Sequence, residues 1–335
     1  MFDRTSSCVG SIENRALAIA GWLAVLALTA AVPLAAQSPY PNRPIKIVVP
    51  LPPGATADTM PRLIAEKLQA KWGQPVVIEN RAGAAQNVGA EFVSKSEPDG
   101  YTLLATPPGP LAVNQSLYLK LAFDPTTFVP ITIMGALPNV LVATAKAPFA
   151  DLAQFIAYAK ANPDKLNYGS AGVGSTPQLL MAWLMSATGA RLVHVPYKGS
   201  APALTDLLAG HIDVMFDNLG NPLQLIKEGR VRALGIGTEQ RLAEFPDLPT
   251  LTETVPGLVA STWFAIVAPP KTPAAIADKL STTMAEIVRM PDIKARFAEM
   301  AATPVGGTPA ETAAFIKAES ALWAKIIAAA GIKPE

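Results

Sequence analysis

From Tyr40 onward, short runs of apolar and β-branched residues alternate with longer segments whose apolar positions recur every three or four residues. The short runs predict strands at 45–49, 76–79, 101–105, 131–134, 140–144, 211–216, 231–237 and 262–267, because apolar runs of this length between turn residues suit buried strands. Met60, Leu63, Ile64, Leu68 and Trp72 share one helical face, as do Leu152, Phe155 and Ile156, and again Leu179, Leu180, Trp183 and Leu184. Their Met and aromatic members read as core, and the alternation predicts α/β layers. The end of the chain departs from it. Segments 273–290, 292–301 and 309–330 all read as helices, the last carrying Phe315, Ile316, Leu322, Trp323, Ile326 and Ile327. A helical tail with no further strand must cover a sheet made earlier, and Thr308, Pro309 and Glu311 supply the cap of its final helix.

Two strand-to-helix junctions carry candidate chemistry. Residues 45–58 read IKIVVPLPPGATAD, a strand, a tight Pro/Gly loop and a helix start. The N–H groups of a first helical turn lack helical partners and carry partial positive charge, so such a loop binds a carboxylate or phosphate without Lys or Arg. An ordinary turn with Asp58 as N-cap and Pro61 in the first turn is the competing reading. Residues 167–178 read NYGSAGVGSTPQ. Here Gly169, Gly172 and Gly174 allow close backbone approach, while Ser170, Ser175 and Thr176 offer hydroxyls at a second helix start. One helix end supplies about 0.3–2 kcal/mol, whereas micromolar affinity needs about 8 kcal/mol. A binder must therefore close both loops around a desolvated ligand in a cleft.

With 335 residues, half of them hydrophobic, the chain can build a large core, and its length suggests two domains. Lys and Arg number 27 against 26 Asp and Glu, a net charge of +1, so no basic surplus exists to track nucleic acid. Arg4 and Arg15 precede an apolar stretch at 16–34 that ends in Ala35 and Ala36. That is a signal-peptide pattern over residues 1–38, a membrane anchor being the competing reading. Cleavage would remove Cys8, the single cysteine, and leave an exported, thiol-free protein suited to a periplasm. No repeat, low-complexity stretch or flexible linker is visible.

Enzyme signatures fail letter by letter. Tyr168 stands where a G-x-S-x-G motif around Ser170 needs glycine, no P-loop occurs, and Pro177 and Gln240 break the two dinucleotide-like glycine patterns. His194 and His211 are the only histidines, too few for a transition-metal site, and both read as structural; no metal or cofactor is expected. Asp213 and Asp217 share strand parity, but paired-carboxylate catalysis is not expected. Asp217 and Asn218 end a strand, where a ligand contact and a purely structural role both stay open.

The strings YPNRPIKIVVPLPPGATAD, GQPVVIENRAGAAQNVGAE, PDGYTLL, KLNYGSAGVGSTPQL, VHVPYKGSAPALTDLLAGHIDVMFDN and PVGGTPAE run in order from Tyr40 to Gly331. In them the chain resembles the extracytoplasmic solute-binding receptors of tripartite tricarboxylate transporters, the Bug proteins. The resemblance implies an α/β type II periplasmic-binding-protein fold of two lobes, 40–137 plus 264–335 and 138–263, closing by hinge bending near 137 and 264. It implies a monomer that delivers a small organic carboxylate, dicarboxylates among them, to membrane transporter subunits. Carried onto this chain, the ligand-holding positions are Leu51, Pro52, Gly54, Ala55, Thr56 and Asp58 on one side and Ser170, Gly172, Gly174, Ser175 and Thr176 across the cleft. Thr106 of the third cleft loop, Gln178, Asp217 and Asn218 are further candidate contacts. Leu51 replaces a usual aromatic, Ala55 a usual glycine and Gln178 a common histidine; Leu111 stands where histidine is frequent, beside a proline-rich stretch from Thr106 to Pro110. Those departures should set which carboxylate is bound. A sensor domain for a signalling partner, and a secreted hydrolase using Ser170 or Ser175 with a histidine, are the alternatives.

Overall fold

The computed structural model describes residues 40–243 and 245–334; the segment read as a signal peptide lies outside the described residues. The elements, in chain order, are β1 (Ile45–Val49), α1 (Thr56–Trp72), β2 (Val76–Asn80), α2 (Asn87–Ser94), β3 (Thr102–Thr106), α3 (Asn114–Leu117) and β4 (Val129–Thr144). Next come α4 (Leu152–Ala161), β5 (Asn167–Ser170), α5 (Thr176–Thr188), β6 (Val193–Pro196), α6 (Ser200–Ala209), β7 (Val214–Asn218), α7 (Leu223–Lys227) and β8 (Val231–Ile236). The chain ends with β9 (Ser261–Ala268), α8 (Ala274–Val288), α9 (Pro291–Glu299), β10 (Thr303–Pro304) and α10 (Pro309–Ala329).

The sheet builds one order of strands twice. In the first half the order is β2-β1-β3-β9-β4, with β1, β2 and β3 parallel and β9 antiparallel to β3 and β4. In the second it is β6-β5-β7-β4-β8, with β5, β6 and β7 parallel and β4 antiparallel to β7 and β8. Each half receives its antiparallel member from a strand shared with the other, so β4 and β9 tie the halves together. In both halves the parallel strands point their C-terminal ends at one crevice, where open α/β sheets bind ligands.

Most predicted elements are present within a few residues, and the differences fall in five strands. Segments 131–134 and 140–144 belong to one 16-residue strand, β4. Gly135 and Pro138 interrupt its apolar pattern like a turn; the strand absorbs Gly135 through a register shift against β9, while Pro138 stays paired in register with Ser261. Two strands, β5 and β6, were hidden in segments rich in Gly, Ser and Pro. His211 does not open a strand: β7 starts at Val214, and the exposed His211 side chain lies 3.3 Å from Asp206. The tail also contains a strand, since β10 pairs with β4 between the last two helices.

The tail helix packs onto the sheet as its apolar stripe requires. Trp323, Ile326 and Ile327 are buried, whereas Phe315 and Leu322 stay partly exposed at the stripe's margin. Glu319 accepts hydrogen bonds from the indole N–H of buried Trp263 on β9 at 2.7 Å and of Trp323 at 3.2 Å. One carboxylate thus satisfies both indole donors and fixes the register of α10 on β9. Thr308 and Glu311 form the capping box at its start.

Candidate functional site

A cavity of about 40 Å³ lies at the crevice between the two halves. It is room for a few waters or the head of a small ligand. Its first-half wall contains Leu51, Pro52, Ala55 and Ala57 from the β1–α1 junction, Gln86, and Pro107 and Gly109 after β3. Its second-half wall contains Ala171, Ser175, Thr176 and Pro177 at the start of α5, Gly199 to Pro202 at the start of α6, and Asn218 and Asn221 after β7. Thr262 and Phe264 of β9 line it between the two. No charged side chain is among these residues. Positive potential comes instead from three helix starts, those of α1, α5 and α6, each equivalent to about half a unit charge. Their sum is about one and a half positive charges, enough to balance one carboxylate and not two.

The first turn of α1 is held in place by an ion-pair network. Ala55 is the N-cap, and Asp58 occupies the third helical position rather than the cap. Its carboxylate accepts from the Gly54 N–H at 3.3 Å, from Arg62 Nε and Nη2 at 2.9 Å each, and from Asn80 Nδ2 at 2.9 Å. Burial pushes the Asp58 pKa up, but these hydrogen bonds and the Arg62 charge outweigh it and hold the group below the usual carboxylate range. Asp58 therefore braces the loop from behind. The Asp58 and Thr59 N–H groups turn back to the Ala55 carbonyl at 2.9 and 3.0 Å. The Thr56 N–H and hydroxyl both donate to Asn221 Oδ1, at 3.1 and 2.8 Å, across the crevice.

The second-half loop is braced by hydroxyls. Ser175 Oγ donates to the Gly172 carbonyl at 2.7 Å, and the Gly174 N–H donates to Gln178 Oε1 at 3.3 Å. Ser170, fully buried, lies 2.8 Å from His194 Nε2 and bonds both polar groups of Gly172. His194 stacks on Tyr168 with ring centres 4.7 Å apart, and burial lowers its pKa. Behind this wall, Asp217 Oδ1 accepts from Ser200 Oγ at 2.7 Å, the Asn218 N–H at 2.8 Å and Asn221 Nδ2 at 2.8 Å.

Of the positions expected from sequence, the structure brings Leu51, Pro52, Ala55, Ser175, Thr176 and Asn218 onto the cavity wall. Gly54 and Thr56 line an adjoining cleft instead. Asp58, Thr106, Ser170, Gly172, Gly174, Gln178 and Asp217 stand behind the wall, where they hold its loops; Thr106 is buried, its hydroxyl bonded to the Pro107 carbonyl at 3.1 Å. Leu111 is a core residue away from the cavity. Gln86, Ser200 and Asn221 line it and were not expected. Ser200 had a legible signal, since Lys198–Gly199–Ser200 before an apolar helix repeats the Gly/Ser-to-helix pattern of the α5 loop. Gln86 had none. It ends a run, Ala84, Ala85 and Gln86, with φ of 44°, 51° and 75°, a left-handed backbone built without glycine. Gln86 Oε1, Thr176 Oγ1 and Asn218 Oδ1 are buried without a hydrogen-bond partner, and all three residues belong to the wall.

The family model described as tripartite tricarboxylate transporter family receptor matches residues 60–332. The chain belongs to this receptor family. Protein BugT of Bordetella pertussis is 39% identical over 323 residues, 96% of this chain and 98% of its own. Among solved structures, R. palustris Rpa4515 with adipate is 37% identical with a TM-score of 0.85, over 88% of this chain and 100% of that one. The periplasmic binding protein BugD is 32% identical with a TM-score of 0.84, over the same shares. The fold is accordingly the two-lobed α/β fold of this receptor family, and the family is one of binding proteins, not enzymes. Within such a receptor the Ser170–His194 pair is a loop brace: Ser170 is fully buried and absent from the cavity wall. Among the described residues no helix is long and apolar enough to cross a membrane, and no cluster of three His, Cys, Asp or Glu could hold a metal.

Proposed function

We propose that this receptor is exported to the periplasm by its N-terminal signal peptide, captures a small organic carboxylate between its lobes, and delivers it as a monomer to the membrane subunits of a tripartite tricarboxylate transporter. The carrying observation is the cavity itself, where three helix starts meet in a pocket lined by no charged side chain. An anion there is recognised by backbone dipoles and hydroxyls, as in helix-terminal anion sites generally. Adipate in a relative of 37% identity supports the ligand class. We place the lobes at 40–137 plus 264–335 and at 138–263, with hinges near 137 and 264, where β4 and β9 pass between the halves. Closure of this kind is the usual motion of such receptors.

Thermal unfolding against a panel of carboxylates, on protein refolded free of co-purified ligand, tests the reading. A ligand at a hundred times its Kd adds about 2.7 kcal/mol of stability, a rise of several degrees in Tm. A panel that moves Tm for no acid rejects carboxylate capture. Small-angle scattering with and without a saturating hit tests the hinge, and superimposable profiles reject closure.

A further inference from the structure

One buried acid beside the cavity has no cationic partner. Asp217 is fully buried at the end of β7, and its Oδ1 receives all three of its hydrogen bonds, from Ser200, Asn218 and Asn221. Its Oδ2 is buried with no partner at all. All three donors belong to residues that line the cavity, so the carboxyl group sits directly behind the ligand. Asn221 is shared between the halves. Its amide N–H donates to Asp217, its amide oxygen accepts from the Thr56 N–H and hydroxyl, and its own N–H is fixed on the Asn218 carbonyl at 2.9 Å. The next contact along this turn is also one between halves, since a Cβ on Gly220 would collide with the Met300 carbonyl.

We propose that Asp217 is a proton-linked positioning residue for ligand capture: a carboxylate entering the cavity draws one proton from solvent onto Asp217, and Asn221 carries that state to Thr56 across the cleft. The inference rests on the carboxylate-receptor reading above. Two carboxylates sharing one water-poor site cannot both stay ionised without a large Coulomb cost, so the more deeply buried one takes a proton. The unpartnered Oδ2 is where that proton is added, and no bond is broken. Burial already pushes the Asp217 pKa up to about 6 before any ligand arrives.

No neighbouring charge offsets this. β4 and α5, packed against β7, carry no titratable group. β5 brings Tyr168, kept neutral by burial, which pushes it up to about 12. β6 brings His194, whose pKa burial lowers, bonded to Ser170. On α6, Asp206 is engaged by Tyr197 and His211 at the far end of the helix, and Asp213 bonds the Asn167 N–H at the opposite end of β7. Lys198 before α6 and Lys227 on α7 are exposed, Glu299 near the Gly220 turn is paired with Arg296, and across the cleft Asp58 is neutralised by Arg62.

Isothermal titration calorimetry with adipate and with hexanoate, in buffers of different ionisation enthalpy between about pH 6.5 and about pH 8.5, where both acids are fully ionised, reads the proton directly. Wild-type protein should take up a fraction of a proton to one proton per ligand and lose up to about tenfold in affinity per pH unit on the alkaline side. Asp217→Asn, which keeps the three hydrogen bonds to Oδ1, should take up none and bind with a flat pH profile. Asn221→Ala, which removes a hydrogen bond that holds the Asp217 pKa down, should bind more weakly at every pH with its proton uptake displaced to higher pH. Absence of uptake in the wild type, or equal uptake in Asp217→Asn, overturns the proposal and leaves the receptor reading intact. The wild-type measurement decides alone if the variant fails to fold. Binding of neither acid at any pH, together with a panel that shifts no Tm, overturns both.

Discussion

The two halves of the molecule share a strand order, yet they bury their cleft carboxylates in opposite ways. Asp58 in the first half has Arg62 against it and sits below the usual carboxylate range. Asp217 in the second has only neutral donors and is raised to about 6. The first half thus spends a charge pair on rigidity, holding Gly54 and the start of α1 wherever Asp58 is ionised. The second half keeps an acid whose charge depends on its surroundings, beside two helix starts rather than one. One topology therefore yields a fixed jaw and a responsive jaw.

The largest effect that would break this contrast is on stability without ligand. A carboxyl group whose folded pKa exceeds its unfolded value contributes stability that is fully present below about pH 3.8 and is lost as pH rises through about 6. Asp217→Asn should therefore be more stable than wild type by about 3 kcal/mol at most near pH 8, and the gap should vanish near pH 4. Denaturant midpoints across that range measure it, and a constant gap would show that Asp217 is not the titrating group. Asp58 has the opposite sign. Its depressed folded pKa stabilises above the unfolded value, and the benefit is lost as pH falls below about 4. Asp58→Ala removes the acceptor of the Gly54 N–H, the charge partner of Arg62 and one of two acceptors of the Asn80 amide, and should cost about 2 kcal/mol at pH 7, read as a lower urea midpoint; a neutral outcome would mean that the brace is dispensable.

The pattern of apolar positions was enough for the helices and for most strands because burial imposes period on sequence. The helix read at 309–330 is observed as Pro309–Ala329. It failed where backbone geometry overrides composition. Asn167–Ser170 reads as loop because Gly169 sits in it, yet Gly169 lies inside a packed strand, facing the terminal methyl of Ile212. The candidate site was legible as two helix starts, since Gly, Ser and Thr before an apolar stripe have a local cause. Asn221 was not, because its role is a hydrogen bond to a residue 165 positions earlier. Asp58 and Gln178 were legible as members of the right loops, but sequence does not say on which side of a loop a side chain lies.

A smaller effect sharpens the asymmetry between the jaws. Thr176 Oγ1 is buried without a partner in the second jaw, whereas the Thr56 hydroxyl in the first is bonded to Asn221. Thr176→Val removes an unpaired polar atom at nearly constant shape, so the free protein should gain about 0.5–1 kcal/mol while carboxylate affinity falls about tenfold. Thr56→Val should lose both stability and affinity. Paired melting and titration of the two variants separates them, and a Thr176→Val protein that binds as wild type would remove this hydroxyl from the ligand's contacts.

The smallest effect probes the left-handed run from Ala84 to Gln86 in the first jaw. Ala85 holds φ 51° and ψ 43° with its carbonyl accepting from Asn114 Nδ2 at 3.0 Å, and it leads directly into Gln86 on the cavity wall. A left-handed alanine costs about 1–2 kcal/mol, and glycine relieves this while adding about 0.5–1 kcal/mol of unfolded-state entropy. Ala85→Gly should therefore stabilise by about 0.5 kcal/mol with an unchanged denaturant slope. Its consequence for binding is opposite in sign, because strain that fixes Gln86 is also what presents its side chain in one orientation. A small gain in stability with a two- to threefold weaker carboxylate affinity (about 0.5 kcal/mol) would show that the strain is functional. Tighter binding would show instead that the first jaw works through the α1 helix start alone.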